Sequence, residues 1–385
     1  MNKNILVPAI IAFSITLLII IIQSSNYSYI IPGIFKIYGK GHTTAYLDDY
    51  KIFSNRIVEG SKNSKPWPKH KLYNTIKPSK KLININTEYK TVAYLIILND
   101  SIFFESYYDG YTKKTKSNSF SMAKSFVTAM LGKAIMEKKI SSLNQKVGGF
   151  FNQFNNGKAY NLTVGDLASM SSGLDWKEEY YNPLNITTQA YFSKDIKKLV
   201  LDRKIISPPG KKYKYLSGNT QLLGMLISKA VGVPISNYFS EKIWKPIGAS
   251  EDALWQIDGS KNGVEKAFCC FASNARDFAR FGKLIKDNGK WGSKRILDSS
   301  FVKLVTNPRF IESPEYGYGF WLTSFNDKSI ISTRGHLGQY VIIIPEDDLI
   351  IVRLGHKTGK KEIGGYPKIY FNFIEEAYKM IPDNS

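Results

Sequence analysis

The order of textures along the 385 residues predicts an α+β fold, a single antiparallel sheet assembled from both ends of the chain around a helical middle. Three observations predict it. Short apolar runs broken by turn residues occur at 92–108 and again at 318–354, which is the pattern of strands. Between them, apolar residues recur at helical spacing. Ahead of both lies an almost unbroken apolar stretch, Ile5 to Ile22.

That stretch follows Lys3 and is interrupted only by Pro8, Ser14 and Thr16; roughly 18 such residues can just cross a bilayer. A cleaved signal peptide is the alternative. Its apolar core typically runs about 7 to 15 residues before a small-x-small site, whereas Gln23-Ser24-Ser25-Asn26 is a poor site and offers no cysteine for lipid attachment. Residues 1–25 are therefore read as a single transmembrane anchor, or else a signal segment; Lys3 alone sets little orientation, and the placing of the body outside the cytoplasm, on the periplasmic face, follows from the fold assignment below. Residues 26–90 carry Pro32, Pro66, Pro68 and Pro78 without a sustained period, and read as a stalk and wrapping segment. Residues 91–385 form the main domain, with a mostly helical subdomain at about 135–265.

Val92 to Leu98 is an apolar run fit for a buried strand, Asn99-Asp100-Ser101 is a turn, and Ile102 to Tyr108 is the hairpin partner. From Met122 the apolar residues continue through Phe126, Val127, Met130, Leu131 and Ile135, while Ser121, Lys124, Ser125 and Thr128 make a narrow polar stripe. That is a helix buried on most sides with one wet edge. Thr163 to Met170 opens on a capping residue, with Asp166 in its first turn, and Ser172-Gly173 closes it. Asn219 to Ala230 is a further helix stopped near Gly232 and Pro234, and Asp277 to Lys286 is another. Tyr318–Thr323, Ser329–Thr333, Gln339–Ile344 and Leu349–Leu354 are strands, the last two joined by Pro345-Glu346-Asp347-Asp348. Lys368 to Met380 sets Ile369, Phe373, Ala377 and Met380 on one helical face, which would cover the sheet.

Composition narrows the function. With 43% hydrophobic and 22% charged residues the balance is that of a globular chain. A net charge of +21 invites a nucleic-acid reading, but the lysines are scattered from Lys62 to Lys214 and no nucleic-acid module accompanies them. No nucleic-acid partner is expected; attraction to an anionic membrane surface is the milder consequence. Cys269 and Cys270 are adjacent and read as two small buried thiols, since neighbours rarely bridge without strain. His42, His70, His336 and His356 lack ligand spacing, so no metal and no cofactor is expected.

The chemistry begins at Ser121-Met122-Ala123-Lys124. A serine hydroxyl is a poor nucleophile until a base lies within hydrogen-bond reach. Residues three apart on a helix share a face about 5 to 6 Å apart at Cβ, so Lys124 can lie over Ser121. Two more segments stand out: Tyr213-Lys214-Tyr215-Leu216-Ser217-Gly218-Asn219 at a helix entrance, and Arg334-Gly335-His336-Leu337-Gly338-Gln339 at a strand. Ser-x-x-Lys, then Tyr-x-Ser, then His-x-Gly in that order resembles the serine β-lactamase and penicillin-binding-protein hydrolases, including class C β-lactamases and related esterases. Met170-Ser171-Ser172-Gly173-Leu174-Asp175-Trp176 and Phe268-Cys269-Cys270, followed by Arg276-Asp277-Phe278-Ala279-Arg280-Phe281-Gly282, look most like the 6-aminohexanoate-dimer hydrolase branch. A literal Lys357-Thr358-Gly359 also occurs, but it follows the last predicted strand, whereas His336 has two strands after it, as the family order requires.

The resemblance implies a β-lactamase/transpeptidase-like fold and a serine hydrolase acting on an ester or amide through an acyl-enzyme. Ser121 would be the nucleophile, Lys124 its base, and Tyr215 the proton shuttle, its phenol lowered by Lys124. Ser217, His336, Gly338, Gln339 and Tyr181 would contact substrate, with oxyanion donors at the backbone N–H groups of Ser121 and Gln339 and close substrate approach at Gly338. His336 in place of a lysine would be mostly neutral near pH 7, which disfavours carboxylate-bearing β-lactams. The alternatives are a D,D-carboxypeptidase or β-lactamase acting on peptidoglycan-like substrates, and an inactive binding protein of the same fold.

Overall fold

The structure, a computed structural model, describes residues 3–25, 27–37, 39, 41–259 and 262–382. Uniform apolarity makes α1 (Lys3–Ser24) a helix without a polar face, and its stretch Val7–Ser24 is uncovered by the rest of the protein and long enough to cross a membrane. A signal sequence would have the same form. A turn leads to α2 (Ile30–Lys36), after which the chain supplies β1 (Asn55–Val58) and α3 (Lys80–Glu88). The segment read as a stalk and wrapping segment packs into the body: Leu47, Val58 and Leu82 are fully buried, and Ser79 caps α3 by accepting from the Leu82 N–H. Its elements are too short, and its prolines too frequent, for a sustained period to show.

The strands β2 (Thr91–Leu98) and β3 (Ser101–Tyr107) form the expected hairpin, and β4 (Ser117–Asn118) leads through the turn Phe120–Met122 into α4 (Ala123–Met136). The helical middle follows as α5 (Val164–Ala168), α6 (Ile186–Phe192), α7 (Ile196–Leu201), α8 (Ser217–Val231) and α9 (Ile235–Phe239). Thr163 and Asp166 form a reciprocal capping box on α5, and Gly232 ends α8 in a left-handed conformation. Then come β5 (Ala253–Gln256), β6 (Phe271–Ser273), α10 (Ala275–Lys286), a small hairpin of β7 (Lys290–Trp291) and β8 (Lys294–Arg295), and α11 (Ser299–Val305). The chain closes with β9 (Trp321–Phe325), β10 (Lys328–Gly335), β11 (Gln339–Ile344), β12 (Leu349–Gly355), the short β13 (Lys361–Ile363) and β14 (Tyr366–Pro367), and α12 (Lys368–Met380).

The main sheet has the order β3-β2-β12-β11-β10-β9 and is antiparallel throughout, so the first hairpin pairs with the last strand and both chain ends complete one sheet. Its central strands are apolar runs because both faces are covered. Tyr94, Ile96 and Leu98 on β2, with Tyr340, Ile342 and Ile344 on β11, pack under α3 and α12; Leu95 and Ile97, with Val341 and Ile343, face α10 and α4. The period-2 alternation thus separates two cores. A second small sheet, β1-β5-β6-β4, links the helical middle to the turn that carries Ser121 and has no counterpart in the sequence expectations. Its strands are at most four residues long, too short to carry a readable pattern.

Arg353 in β12 ties the sheet to the turn that closes the site. It is 1% exposed, and its guanidinium donates to the carbonyls of Leu337 (3.0 Å), Gly338 (2.8 Å), Lys357 (3.0 Å) and Tyr89 (2.6 Å) and to Thr91 Oγ1 (3.1 Å). Burial pulls its pKa down to about 10, which leaves it charged at neutral pH. Arg353→Met would strand four carbonyls without donors, and is expected to lower the unfolding free energy by about 3 kcal/mol in denaturant titrations.

Candidate active site

Three elements converge on Ser121. The first is the turn Phe120–Met122, whose entry residue Phe120 is 4% exposed yet adopts φ +47°, a left-handed conformation costly for a bulky residue. Asn118 Oδ1 accepts from the Phe120 N–H at 3.0 Å, and the Ser119 N–H bonds to Phe271 O at 2.7 Å. The bend presents Ser121 at the head of α4 instead of burying it along the helix. The second element is the start of α8, which carries Tyr215 and Ser217. The third is the end of β10, where Gly335 packs on the Ser119 carbonyl; a Cβ there would fall on that oxygen, so only glycine lets strand and turn meet.

Lys124, one turn along α4, is 2% exposed. Its Nζ donates to Ser121 Oγ (3.0 Å), Ser217 Oγ (3.2 Å) and Phe268 O (2.8 Å), which uses all three ammonium protons. Burial lowers its pKa to about 8, and the nearby Glu178 carboxylate works in the opposite direction. Glu178 also takes the Ser217 N–H (2.7 Å), the Ser217 hydroxyl (2.6 Å) and the Tyr180 hydroxyl (2.8 Å). It therefore caps α8 and holds Ser217 for the lysine.

Tyr215 lies with its ring 5.0 Å from Lys124 Nζ, and its hydroxyl engages the Ser121 side chain. The expectation of a lowered phenol is overturned: burial and the Glu178 charge push it well above the ordinary tyrosine value, outweighing the Ser121 hydrogen bond and Arg334. Tyr215 is thus a hydroxyl donor at neutral pH. His336 packs edge-on against Phe120 and near Tyr180 and Tyr181, with Nε2 3.1 Å from Thr44 Oγ1. Burial lowers its pKa to about 4, so it is neutral in the working range.

Two predicted substrate contacts lie elsewhere. β10 ends at Gly335 and Leu337 turns left-handed at φ +61°, so Gln339 begins the inner neighbour β11, opposite Gly335. Gln339 is fully buried, its amide locked on Gly355 and the His336 carbonyl, and Gly338 sits over the Arg353 guanidinium at φ +83°. Neither lines a cavity at Ser121, because the His-x-Gly segment is a reversal and not a continuous edge strand. Tyr181 lines the site and is largely exposed, and Ser217 borders the cavity beside Ser121. Lys357 is exposed in the turn after β12. The adjacent cysteines, expected as thiols, are joined as a vicinal disulfide on the cavity wall, where Cys270 takes a left-handed backbone at φ +71°.

Glu178, the Phe268 carbonyl and Thr44 were not foreseen as site groups. Each acts through a contact far along the chain, and only the Glu178-Glu179-Tyr180-Tyr181 run hinted at a polar loop worth placing.

An antiparallel sheet flanked by helices, with a serine and a buried lysine at a helix head, defines the class of β-lactamase-fold hydrolases. The Beta-lactamase family model matches residues 80–368, and the chain belongs to that family. It is 23% identical over 287 residues to the 6-aminohexanoate-dimer hydrolase of Paenarthrobacter ureafaciens, covering 69% of this chain and 72% of that protein. An Escherichia coli protein provisionally named a D-alanyl-D-alanine carboxypeptidase is also 23% identical, over 51% of this chain and 57% of its own. The solved structure of a Bacillus anthracis protein provisionally named a 6-aminohexanoate-dimer hydrolase superposes with a TM-score of 0.74 at 22% identity, over 88% of this chain and 94% of that one. A class C β-lactamase superposes at 0.59 with 14% identity, covering 82% of this chain and all of its own.

If neutral Lys124 is the active base, turnover rises about tenfold per pH unit up to about pH 8 and then levels, because the amine is charged below its folded pKa. His336 is neutral down to about 4 and adds no inflection between pH 5 and 9. Glu178→Gln removes a charge that raises the lysine, so the inflection in the pH–rate profile is expected to move to lower pH.

Proposed function

We propose that this chain is a serine hydrolase that cleaves an ester or amide bond through an acyl-enzyme on Ser121, with its body held at the outer face of a membrane by α1. The observation that carries this reading is the three-way hold on Lys124 Nζ, which aims a depressed amine at the Ser121 hydroxyl. As Ser121 Oγ attacks the carbonyl carbon, the neutral amine takes its proton. The resulting oxyanion accepts from the Ser121 backbone N–H at the head of α4 and from main-chain N–H groups at the free edge of β10. That edge lies beyond Ser332, where pairing with β9 ends.

Tyr215 then passes its hydroxyl proton to the departing oxygen or nitrogen and is reprotonated from Lys124. Its raised pKa suits a relay that is never long a phenolate. Water attacks the acyl carbonyl, Lys124 accepts the water's proton, and Ser121 leaves reprotonated. A neutral His336 supplies no fixed charge for a substrate carboxylate, which favours neutral esters and amides over penicillins. The likeness to a 6-aminohexanoate-dimer hydrolase points the same way.

Hydrolysis of short p-nitrophenyl esters is expected to fall at least about a thousandfold in Ser121→Ala at equal folding, with an acyl adduct on Ser121 visible by mass spectrometry in the wild type. Equal background from both proteins would replace this reading with that of a binding protein. Stoichiometric labelling by a fluorescent penicillin would favour the D,D-carboxypeptidase or β-lactamase alternative.

A further inference from the structure

Ser121 lies between two unlike spaces. One is a wide groove bordered by Glu178, Tyr213, Tyr215, Trp321, Arg334 and Tyr366. The other is a mostly apolar cavity running away from Ser121 between Phe120, Phe268, Phe192, Ile37, Gly33 and Ile30. The second space offers almost nothing to a polar ligand. Tyr29 Oη donates to Pro183 O (2.9 Å), Tyr191 Oη to Asp49 (2.6 Å), Thr187 Oγ1 to Lys177 O (3.1 Å) and Thr188 Oγ1 to Asn182 O (2.8 Å). The Glu179 carboxylate is held by Lys177 and Asn182. With their polar atoms directed elsewhere, these side chains show the cavity carbon surface, which suits an apolar ligand.

The far wall of this cavity is α2. Only residues 25–29 separate it from the end of α1 at Ser24, and it packs so closely on α6 that a Cβ at Gly33 would lie 3.2 Å from the Phe192 ring. Tyr27 and Phe35, 45% and 75% exposed, flank this wall, the kind of aromatic placement found at a bilayer surface. Tyr215, the donor to the leaving group, lines the groove and not the cavity, so the leaving group lies on the polar side and the acyl group on the apolar side.

We infer that the substrate is an amphiphile whose medium or long hydrocarbon acyl chain fills the cavity between Ser121 and the juxtamembrane helix α2, while its polar leaving portion occupies the aromatic groove. The inference rests on the acyl-enzyme reading above and adds the substrate class to it. Each methylene buried is worth about fourfold in binding, so chain length is a sensitive readout.

The test uses the full chain in lipid nanodiscs with p-nitrophenyl acetate, butanoate and octanoate. Octanoate is expected to exceed acetate in kcat/KM by at least about tenfold, and Thr188→Trp or Ala45→Trp, each placing an indole in the cavity, to lower that octanoate-to-acetate ratio about tenfold or more. Either variant that folds suffices. Ser121-dependent turnover with no preference for chain length, or a ratio untouched by both variants, overturns the inference and leaves the hydrolase reading standing. Absence of any Ser121-dependent turnover counts against the hydrolase reading itself. In that case Ser121→Ala titrated with a dansyl-labelled fatty acid still decides the cavity: saturable binding weakened by Thr188→Trp supports it, and no saturable binding overturns it.

Discussion

A lysine amine taken almost wholly out of water, with each of its three protons committed to a different part of the chain, is the constraint on which the site depends. The acceptors come from the Ser121 turn, the head of α8 and the loop before β6, which are remote in sequence. None can shift without leaving a buried charge under-solvated. The same burial that makes this arrangement costly destabilises the ammonium form, and so brings the amine's pKa down to about 8. Fold and reactivity are therefore two consequences of one desolvated group.

The surrounding scaffold is stiff where it must be. Phe120 holds a left-handed backbone because Asn118, Phe271 and the Gly335 contact leave its turn no alternative. Behind the other wall, Arg353 gathers the carbonyls of the Leu337–Gly338 turn and ties them to Tyr89 and Thr91 at the start of β2. Since β2 lies beside β12 in the sheet, the N-terminal hairpin braces the closing turn of the C-terminal strands. The two halves of the sheet, far apart in the chain, thereby fix the distance between Ser121 and the His336 corner.

Much of this was legible in residue order. The strands at 339–344 and 349–354 and the helix at 368–380 show as plain periodicity because each buries a full apolar face. The α5 cap was legible at Thr163 because a capping box is a local device. The 26–90 segment was not, since its short strand and helix are stabilised by partners 190 or more residues away, such as Ala253–Gln256 for β1 and Glu376 for the cap at Ser79. Gly338 and Gln339 lie away from the cavities at Ser121 for a related reason: two successive left-handed residues, Leu337 and Gly338, reverse the chain there, and leucine carries no signal for that conformation.

By itself the sequence determined what is local: which runs are strands or helices, that Ser121 and Lys124 share a helical face, and that the first helix is apolar on every side. Those follow from spacing and side-chain chemistry within a few residues. Only the tertiary structure decided what depends on distant neighbours. It set the lysine's depressed pKa and the tyrosine's raised one, the recruitment of Glu178 and the Phe268 carbonyl, and the cavity closed by α2, the helix next to the apolar α1. Burial and charge proximity are sums over everything that packs around a group, and no short window of sequence contains those terms.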